Sequence, residues 1–163
     1  MDLDRYTLED LFLSAIKSEV ESKRVYRDMA DRTKNGLLKD KLEFLSKEEE
    51  KHQRILEDIY KKKFQKKKIV LPAETPVPLP RIELKEDTLM SLLFKQAMEA
   101  EKVAHDLYNS MAEKMKDDTS IYNTLRYFAD MEMEHYRILE VEKKNSELFE
   151  LADVYWPMVH VGP

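Results

Sequence analysis

Two copies of the motif Glu-x-x-His constrain the fold of this chain more than any other feature. Glu49 and His52 form the first copy, Glu132 and His135 form the second, and each is followed by the same run, x-Arg-Ile-Leu. In a helix, a spacing of three places both side chains on one face. Both copies interrupt an apolar repeat of helical period at positions where the repeat calls for Leu. The sequence therefore predicts two helices with charged groups in their buried faces, and such groups require partners.

Two further carboxylates, Glu19 and Glu101, occupy the middle of two more apolar repeats. The first of these repeats contains Leu8, Phe12, Ala15, Glu19, Ser22, Tyr26, Met29 and Thr33, and the second contains Met90, Phe94, Ala97, Glu101, Ala104, Tyr108, Met111 and Met115. A shift of 82 residues aligns these two repeats, and a shift of 83 residues aligns the two Glu-x-x-His motifs. The sequence therefore predicts an internal duplication of a helical hairpin.

The four repeats predict an all-α fold, a four-helix bundle made of two duplicated hairpins. We expect helices over about 8–34, 37–67, 88–116 and 120–144. The hairpins are joined by a long crossover whose four prolines exclude helix, and at roughly 3 Å per residue it can run the length of a helix. The expected organisation is a single domain, 1–163, made of hairpin 1 (about 8–68), the crossover (69–87), hairpin 2 (about 88–145) and a C-terminal tail (146–163).

Local signals place the ends of these helices. The run Thr7–Asp10 predicts a capping box at the start of the first helix, and Asn35-Gly36 predicts its end. Asp87 is the expected N-cap of the third helix. A short helical turn is expected over 146–151, followed by an apolar tail over 154–161 that we expect to dock on the bundle.

Composition limits the classes of function. The absence of cysteine excludes an iron–sulfur or rubredoxin-type centre within these residues, so any electrons must come from an external donor. A net charge of −5 gives no reason to expect nucleic-acid binding. With no signal-peptide pattern and no membrane-spanning apolar run, we expect a cytoplasmic protein that does not bind membranes. The basic run Lys61–Lys68 is interpreted as a solvated helix end, and a docking patch for an acidic partner is the alternative.

The predicted bundle brings four carboxylates and two imidazoles to one level. Burying several like charges together costs several kcal/mol per ion, so the carboxylates would repel one another or take up protons. Two divalent cations would neutralise all four. The alternative is that these acids face solvent on highly charged helices. It does not explain a motif that occurs twice, in register with two further acids on apolar faces.

This constellation resembles the ferritin-like di-iron superfamily, in its rubrerythrin and bacterioferritin branch, over nearly the whole chain. The resemblance implies terminal ligands Glu19 and Glu101, bridging ligands Glu49 and Glu132, and one nitrogen ligand per ion from His52 and His135. Oxygen-rich coordination with one imidazole per ion favours two iron ions per chain, with manganese possible.

Four other side chains, three close in sequence to these positions and one in the C-terminal tail, have two interpretations each. Tyr26 and Tyr108 lie two turns beyond the carboxylates of their helices, and similar tyrosines in the family bond to ligand carboxylates. Ordinary packing is the alternative. His105 is interpreted as a flanking or interface residue and His160 as a surface or packing residue, with a ligand role as the alternative for each.

The resemblance implies a non-haem di-iron oxidoreductase that reduces hydrogen peroxide or dioxygen with electrons from an external electron-transfer protein, in a homodimer. Rubrerythrins usually carry a further Glu three residues after the third-helix ligand, where this chain has Ala104, and the duplicated position is Ser22. This departure implies a symmetric six-ligand site closer to that of bacterioferritin. Ferrous-iron oxidation with iron handling is therefore an alternative function, and a non-catalytic, metal-stabilised helical module is another.

Overall fold

A computed structural model describes residues 3–65, 67–85 and 87–155. In those residues it contains the helices α1 (Leu8–Arg32), α2 (Gly36–Lys63), α3 (Met90–Lys114) and α4 (Thr119–Tyr155). α1 packs on α2 and α3 packs on α4, while the two hairpins meet through α1 with α3 and α2 with α4. The predicted all-α bundle of paired hairpins is confirmed. Within the described residues, no helix has the length and apolar character needed to cross a membrane.

The first hairpin begins as predicted, but its turn is built differently. The hydroxyl oxygen of Thr7 accepts a hydrogen bond from the N–H of Asp10 at 3.1 Å, and the Asp10 carboxylate accepts from the N–H of Thr7 at 3.0 Å. Asn35, predicted to end α1, instead begins α2, because its side-chain oxygen accepts from the N–H of Leu38 at 3.2 Å. α1 ends earlier, before the extended residue Thr33. An Asn side chain satisfies a free N–H at a helix start, which explains the difference.

The last helix is longer than the sequence analysis predicted. α4 continues unbroken to Tyr155, so the predicted end near residue 144 and the separate turn over 146–151 were wrong. No Gly or Pro occurs in the chain between residues 120 and 155, and the polar residues after 144 do not break the helix. The apolar tail expected over 154–161 begins within α4, and from residue 156 onwards it lies outside the described residues.

The start of α3 is capped from another helix rather than by its own flanking residue. Asp87 was predicted as the N-cap, but Leu89 occupies that position and its side chain makes no capping hydrogen bond. The carboxylate of Glu150, on α4, accepts hydrogen bonds from the N–H of Ser91 at 3.0 Å and from its hydroxyl at 2.6 Å. The added length of α4 thus supplies the acceptor that α3 needs.

The crossover returns the chain along α1, as predicted. The ammonium group of Lys17 donates to the carbonyl oxygen of Pro72 at 2.9 Å, and the guanidinium of Arg32 donates to the carbonyl oxygen of Lys85 at 2.8 Å. Between these two points Val77 is fully buried. The crossover therefore runs from the middle to the end of α1 and delivers the chain to the start of α3.

The apolar core is divided into two clusters with a charged layer between them. On α2, Leu45 belongs to one cluster and Leu56 belongs to the other. Glu49 and His52 lie between these two leucines, and α4 repeats the arrangement. The Glu-x-x-His motifs are thus set in the middle of the bundle, with hydrophobic packing on both sides.

Candidate metal centre

The six residues that the sequence singled out as ligands are all buried. Their exposed fractions are 2% for Glu19, 1% for Glu49, 2% for His52, 3% for Glu101, 1% for Glu132 and 0% for His135. The helical spacing accounts for this, because each residue takes a position that a Leu would otherwise fill. The structure therefore places every predicted ligand in the core, facing the bundle axis.

The six side chains form two overlapping clusters, and within each cluster the residues offer one potential ligand atom apiece, all within 4.8 Å of one another. One cluster contains Glu19, Glu49, His52 and Glu132, and the other contains Glu49, Glu101, Glu132 and His135. Glu49 and Glu132 belong to both. Two ions placed side by side would thus share these two carboxylates, an arrangement that fits a di-metal site.

Each imidazole lies closest to a carboxylate from the opposite hairpin. The Nδ1 atom of His52 is 3.1 Å from Oε1 of Glu132 and 3.6 Å from Oε2 of Glu49. The Nδ1 atom of His135 is 3.2 Å from Oε1 of Glu49 and 3.3 Å from Oε2 of Glu132. The two halves of the layer are therefore related by an approximate two-fold axis, as the duplication of the sequence requires.

Several atoms of this layer are buried without a hydrogen-bond partner in the part of the chain that the structure describes. They are Oε2 of Glu19, Oε1 of Glu49, Oε1 of Glu132, Nδ1 of His52 and both ring nitrogens of His135. The Nδ1 atoms of both imidazoles lie at ion-pair distances from carboxylate oxygens, but the directions of these contacts do not satisfy hydrogen bonding. Buried polar atoms without partners are rare in native proteins. Metal ions held by the two clusters would supply partners for the carboxylate oxygens and for one nitrogen of each imidazole, so the residues fit a di-metal group.

Two buried tyrosines bind the outer carboxyl groups crosswise. The hydroxyl of Tyr26, on α1, donates to Oε1 of Glu101 on α3, and the hydroxyl of Tyr108, on α3, donates to Oε1 of Glu19 on α1. Burial, followed by the charges of the nearby carboxylates, raises the pKa of both phenols well above its ordinary value, so both remain donors. The sequence indicated a bond from each tyrosine to a ligand carboxylate, but not that each bond joins the two hairpins.

The two outer carboxyl groups, Glu19 and Glu101, have raised pKa values. Burial raises the pKa of Glu19 and of Glu101 well above the ordinary carboxyl value. The negative charges of Glu49 and Glu132 add to this effect. Both side chains therefore favour the protonated form more strongly than an exposed carboxyl group does.

The inner carboxyl groups and the imidazoles carry the charges of the metal-free layer. Burial alone would raise the pKa of Glu49, but contacts with Glu19, His135 and His52 lower it. The pKa of Glu132 is also lowered. Its contacts with Glu101 and with both imidazoles outweigh the effects of burial and of the Glu49 charge. Burial opposes charge on the imidazoles, yet their carboxylate contacts raise the pKa of His52 to about 12 and raise that of His135 as well. Two carboxylates and two imidazolium ions thus balance each other.

The remaining candidates lie outside the two clusters. The Nε2 atom of His105 is 2.9 Å from the side-chain nitrogen of Asn109, and its Nδ1 atom is 3.0 Å from a carboxylate oxygen of Asp106. Ala104 is buried beside the layer, and no seventh acid joins either cluster among the described residues. His160 lies beyond the described residues. The structure thus brings together all six predicted ligands and leaves His105 on the flank.

The sequence analysis missed one buried acid near this layer. Glu142 is 7% exposed and pairs with the ammonium group of Lys41, which joins α4 to α2. A signal for it was present, because Glu142 follows Leu139 by three residues in the same apolar repeat as His135. It was overlooked because it lacks a partner His at the motif spacing.

Comparison with known proteins agrees with this geometry. Residues 10–143 match the family described as Rubrerythrin. No curated protein matches the chain. Among solved structures, a hypothetical protein from Pyrococcus furiosus is 30% identical, with a TM-score of 0.82 over 91% of this chain and 95% of that chain. The family match covers most of the chain and contains both Glu-x-x-His motifs, so this chain belongs to the rubrerythrin family.

Proposed function

We propose that the chain is a non-haem di-iron oxidoreductase of rubrerythrin type. In this proposal it reduces hydrogen peroxide, or dioxygen, with electrons from an external electron-transfer protein. The observation that supports it best is the pair of buried carboxylate and imidazole clusters, several atoms of which have no hydrogen-bond partner among the described residues. Family membership supports the same activity.

The two clusters suggest how the ions would be held. Glu49 and Glu132 would bridge, since both belong to each cluster, while Glu19 with His52 and Glu101 with His135 would each complete the coordination of one ion. Carboxylate oxygens outnumber imidazole nitrogens in this set, which favours iron, or manganese, over copper and zinc. These six ligand roles are part of the proposal.

When bound, a pair of ferrous ions supplies the two electrons that, with two protons, convert hydrogen peroxide into two molecules of water. The protein positions the ligands and limits access of water. The ring of Phe128 lies 4.3 Å from that of His52, and the fully buried Ala15 and Ala97 lie one turn before Glu19 and Glu101 on their helices. Small side chains at those two positions would leave room for the ions, and the surrounding apolar groups would limit the entry of water.

Stopped-flow absorbance of the reduced, iron-loaded protein mixed separately with each oxidant tests this proposal. We expect faster reoxidation by hydrogen peroxide than by dioxygen, and turnover only when an electron donor is added. The double variant Glu49→Ala, Glu132→Ala should retain no iron by elemental analysis and show no reaction. If the wild-type protein contains no iron after reconstitution, the proposed metal site is wrong. If the reduced protein reacts faster with dioxygen than with peroxide, the proposed preference for peroxide is wrong.

Ferrous-iron oxidation is the second candidate, and Ala104 favours it. This residue takes the place of the additional Glu that rubrerythrins usually carry, which leaves a symmetric set of six ligands. Iron storage would require a large shell of subunits, whereas the proposed peroxidase would be a cytoplasmic homodimer. Size-exclusion chromatography with light scattering distinguishes a dimer from a shell, and growth of an iron mineral under dioxygen would favour the second candidate.

A further inference from the structure

The outer surface between α2 and α4 forms a seam that contains two cavities. The first has a volume of about 470 Å³, and Phe44, Ile138 and Val141 contribute to its lining. The second has a volume of about 420 Å³ and is lined in part by Ile55 and Ile121. Phe44 precedes the Glu-x-x-His motif of α2 and Ile55 follows it. The cavities therefore lie on either side of the charged layer, and together they extend along most of α2.

α4 has a second apolar stripe, which faces this seam rather than the bundle axis. Its members are spaced by four and three residues in alternation, as on the inward stripe, and they are Tyr127, Met131, Glu134, Ile138 and Val141. The last three line the first cavity, which fixes the direction of the stripe. The core of the bundle covers the inward side of α4, so a second apolar stripe indicates a second packing partner.

Four large apolar side chains of the seam are about half exposed in the single chain. Their exposed fractions are 46% for Phe44, 42% for Ile55, 57% for Tyr127 and 51% for Val141. Phe44 and Val141 belong to one half of the seam, and Ile55 and Tyr127 belong to the other. Apolar surface that extends over a whole face of a protein marks an interaction site.

Charges of both signs line the two cavities in nearly equal numbers. The first cavity has Lys41 and Arg137 with Asp40, Glu134 and Glu142, and the second has Lys62 and Lys63 with Asp58 and Asp118. In the first cavity Lys41 pairs with Glu142, and Arg137 pairs with Glu134. A strongly acidic or strongly basic partner would thus meet few matching charges, whereas a second copy of the chain brings the same balanced set.

We infer that the seam is the contact surface of a homodimer, in which the α2–α4 face of one copy packs on the same face of a second copy. A two-fold dimer uses one patch on both subunits, so the patch must be complementary to itself. An apolar seam with balanced charges meets this requirement.

The size of the face matches what a stable dimer needs. α2 has 28 residues and is therefore about 42 Å long, and two helices side by side are about 20 Å wide. The face thus measures about 800 Å², which is the area that each partner contributes to an interface of standard size.

This inference rests on the homodimer of the proposed function and adds its contact surface. Both Glu-x-x-His motifs lie on the two helices that form the seam, at the level between its two cavities. A second copy would therefore cover the candidate metal centre on this side and limit the entry of water.

Size-exclusion chromatography with light scattering tests the inference through the mass of the particle. One chain has a mass of 19.4 kDa, so the unmodified protein should show twice that mass. Val141→Asp and Ile55→Asp, one in each half of the seam, should each reduce it to the mass of one chain, because a carboxylate would be buried against apolar side chains. Leu92→Asp is the matched control, because Leu92 is 50% exposed on α3, and it should remain a dimer. Far-UV circular dichroism confirms that each variant is folded.

A second measurement avoids charged substitutions. The chain contains no cysteine, so the variants Ile55→Cys and Leu92→Cys carry one thiol each. The two positions are exposed to similar extents in the single chain, 42% for Ile55 and 50% for Leu92. If the seam is covered by a second copy, the thiol at position 55 should react with a maleimide several-fold more slowly than the thiol at position 92.

Three outcomes would overturn the inference. The first is a mass of one chain, or of a large shell, for the unmodified protein. The second is a mass that neither Val141→Asp nor Ile55→Asp changes, which would place the contact elsewhere. The third is an equal labelling rate at the two positions, which would show that the seam is open to solvent. Neither measurement uses iron or peroxide, so a failure of the proposed redox activity would leave both results unchanged.

Discussion

Each hydroxyl group of Tyr26 and Tyr108 belongs to the hairpin opposite the carboxyl group that it binds. The proposed terminal ligands are therefore held from across the bundle rather than from within their own helix. A carboxyl group fixed in this way binds the phenol with one oxygen and leaves the other for the charged layer, as in Glu19, whose Oε2 atom lies 3.6 Å from Nδ1 of His52. From this geometry we expect Tyr26 and Tyr108 to orient the proposed terminal ligands.

Tyr108→Phe should weaken metal binding about 10-fold to 100-fold, which is the usual effect of removing a hydrogen bond to a ligand. Tyr26→Phe should have a similar effect through Glu101. Competition titration with a chromophoric chelator measures the affinity. Tyr127→Phe, at a side chain that is 57% exposed, is the control and should change nothing. Wild-type affinity in both buried-tyrosine variants would mean that these residues only fill space.

Metal binding should release protons and should strengthen as pH rises. The pKa values of Glu19, Glu101, His52 and His135 are all raised, so each group holds its proton more strongly without metal than it would in water. A metal ion requires an ionised carboxylate or a neutral imidazole, so each proton must leave when the ion binds. Calorimetric titration in buffers of different ionisation enthalpy measures the release. A binding heat that does not vary with the buffer would disprove these protonation states.

At the scale of the helices, α4 does more than carry a Glu-x-x-His motif. Its C-terminal turns extend to the start of α3, where Glu150 accepts both the N–H and the hydroxyl of Ser91. A carboxylate at this position is also favoured by the helix dipole. The extension of α4 thus fixes the relative position of the two helices in the second hairpin.

Glu150→Ala should lower the free energy of unfolding by about 1 kcal/mol, since it removes the cap of α3. Urea denaturation of the metal-free protein measures this. Glu140→Ala is a suitable comparison, because Glu140 makes only an exposed pair with Lys144 at 3.6 Å and should cost about 0.3 kcal/mol. Equal effects of the two substitutions would show that the contact with Ser91 contributes nothing beyond a surface ion pair.

The helices and the positions of the candidate ligands were predictable because their signals are local and periodic. A Glu or His at a position where the apolar repeat calls for Leu can be recognised from the few helical turns around it. Glu19 and Glu101 were found in this way. The cap of α3 was not predictable, because Glu150 and Ser91 are 59 residues apart and no local pattern links them. The same applies to the crosswise bonds of the tyrosines, which depend on how the hairpins dock.

At the scale of the whole molecule, a charged layer separates two apolar clusters. Without metal, Glu49 lies within 3.6 Å of both imidazoles, so it is the partner of two buried cations. A layer of this kind is stable only as a complete set, because removing one member leaves another charge buried and unpaired. The centre of the bundle therefore depends on a balance of charges rather than on packing alone.

Glu49→Leu should lower the stability of the metal-free protein by about 3–5 kcal/mol, because His52 and His135 lose a counter-charge. Replacing Glu49, Glu132, His52 and His135 together by Leu should restore or exceed the original stability, since hydrophobic residues then fill the layer. Chemical denaturation with a chelator present compares the proteins. A quadruple variant less stable than the single one would refute the charge-balance account.

The crosswise bonds also set an order of assembly. Contacts within the first hairpin join nearby parts of the chain, as when the hydroxyl of Ser46 binds the carbonyl oxygen of Lys23, 23 residues away. The bonds of Tyr26 and Tyr108 close loops of 75 and 89 residues. Since closing longer loops costs more entropy, we expect the hairpins to form first and to meet last. Until that final step the six proposed ligands remain in contact with water, where a metal ion can reach them.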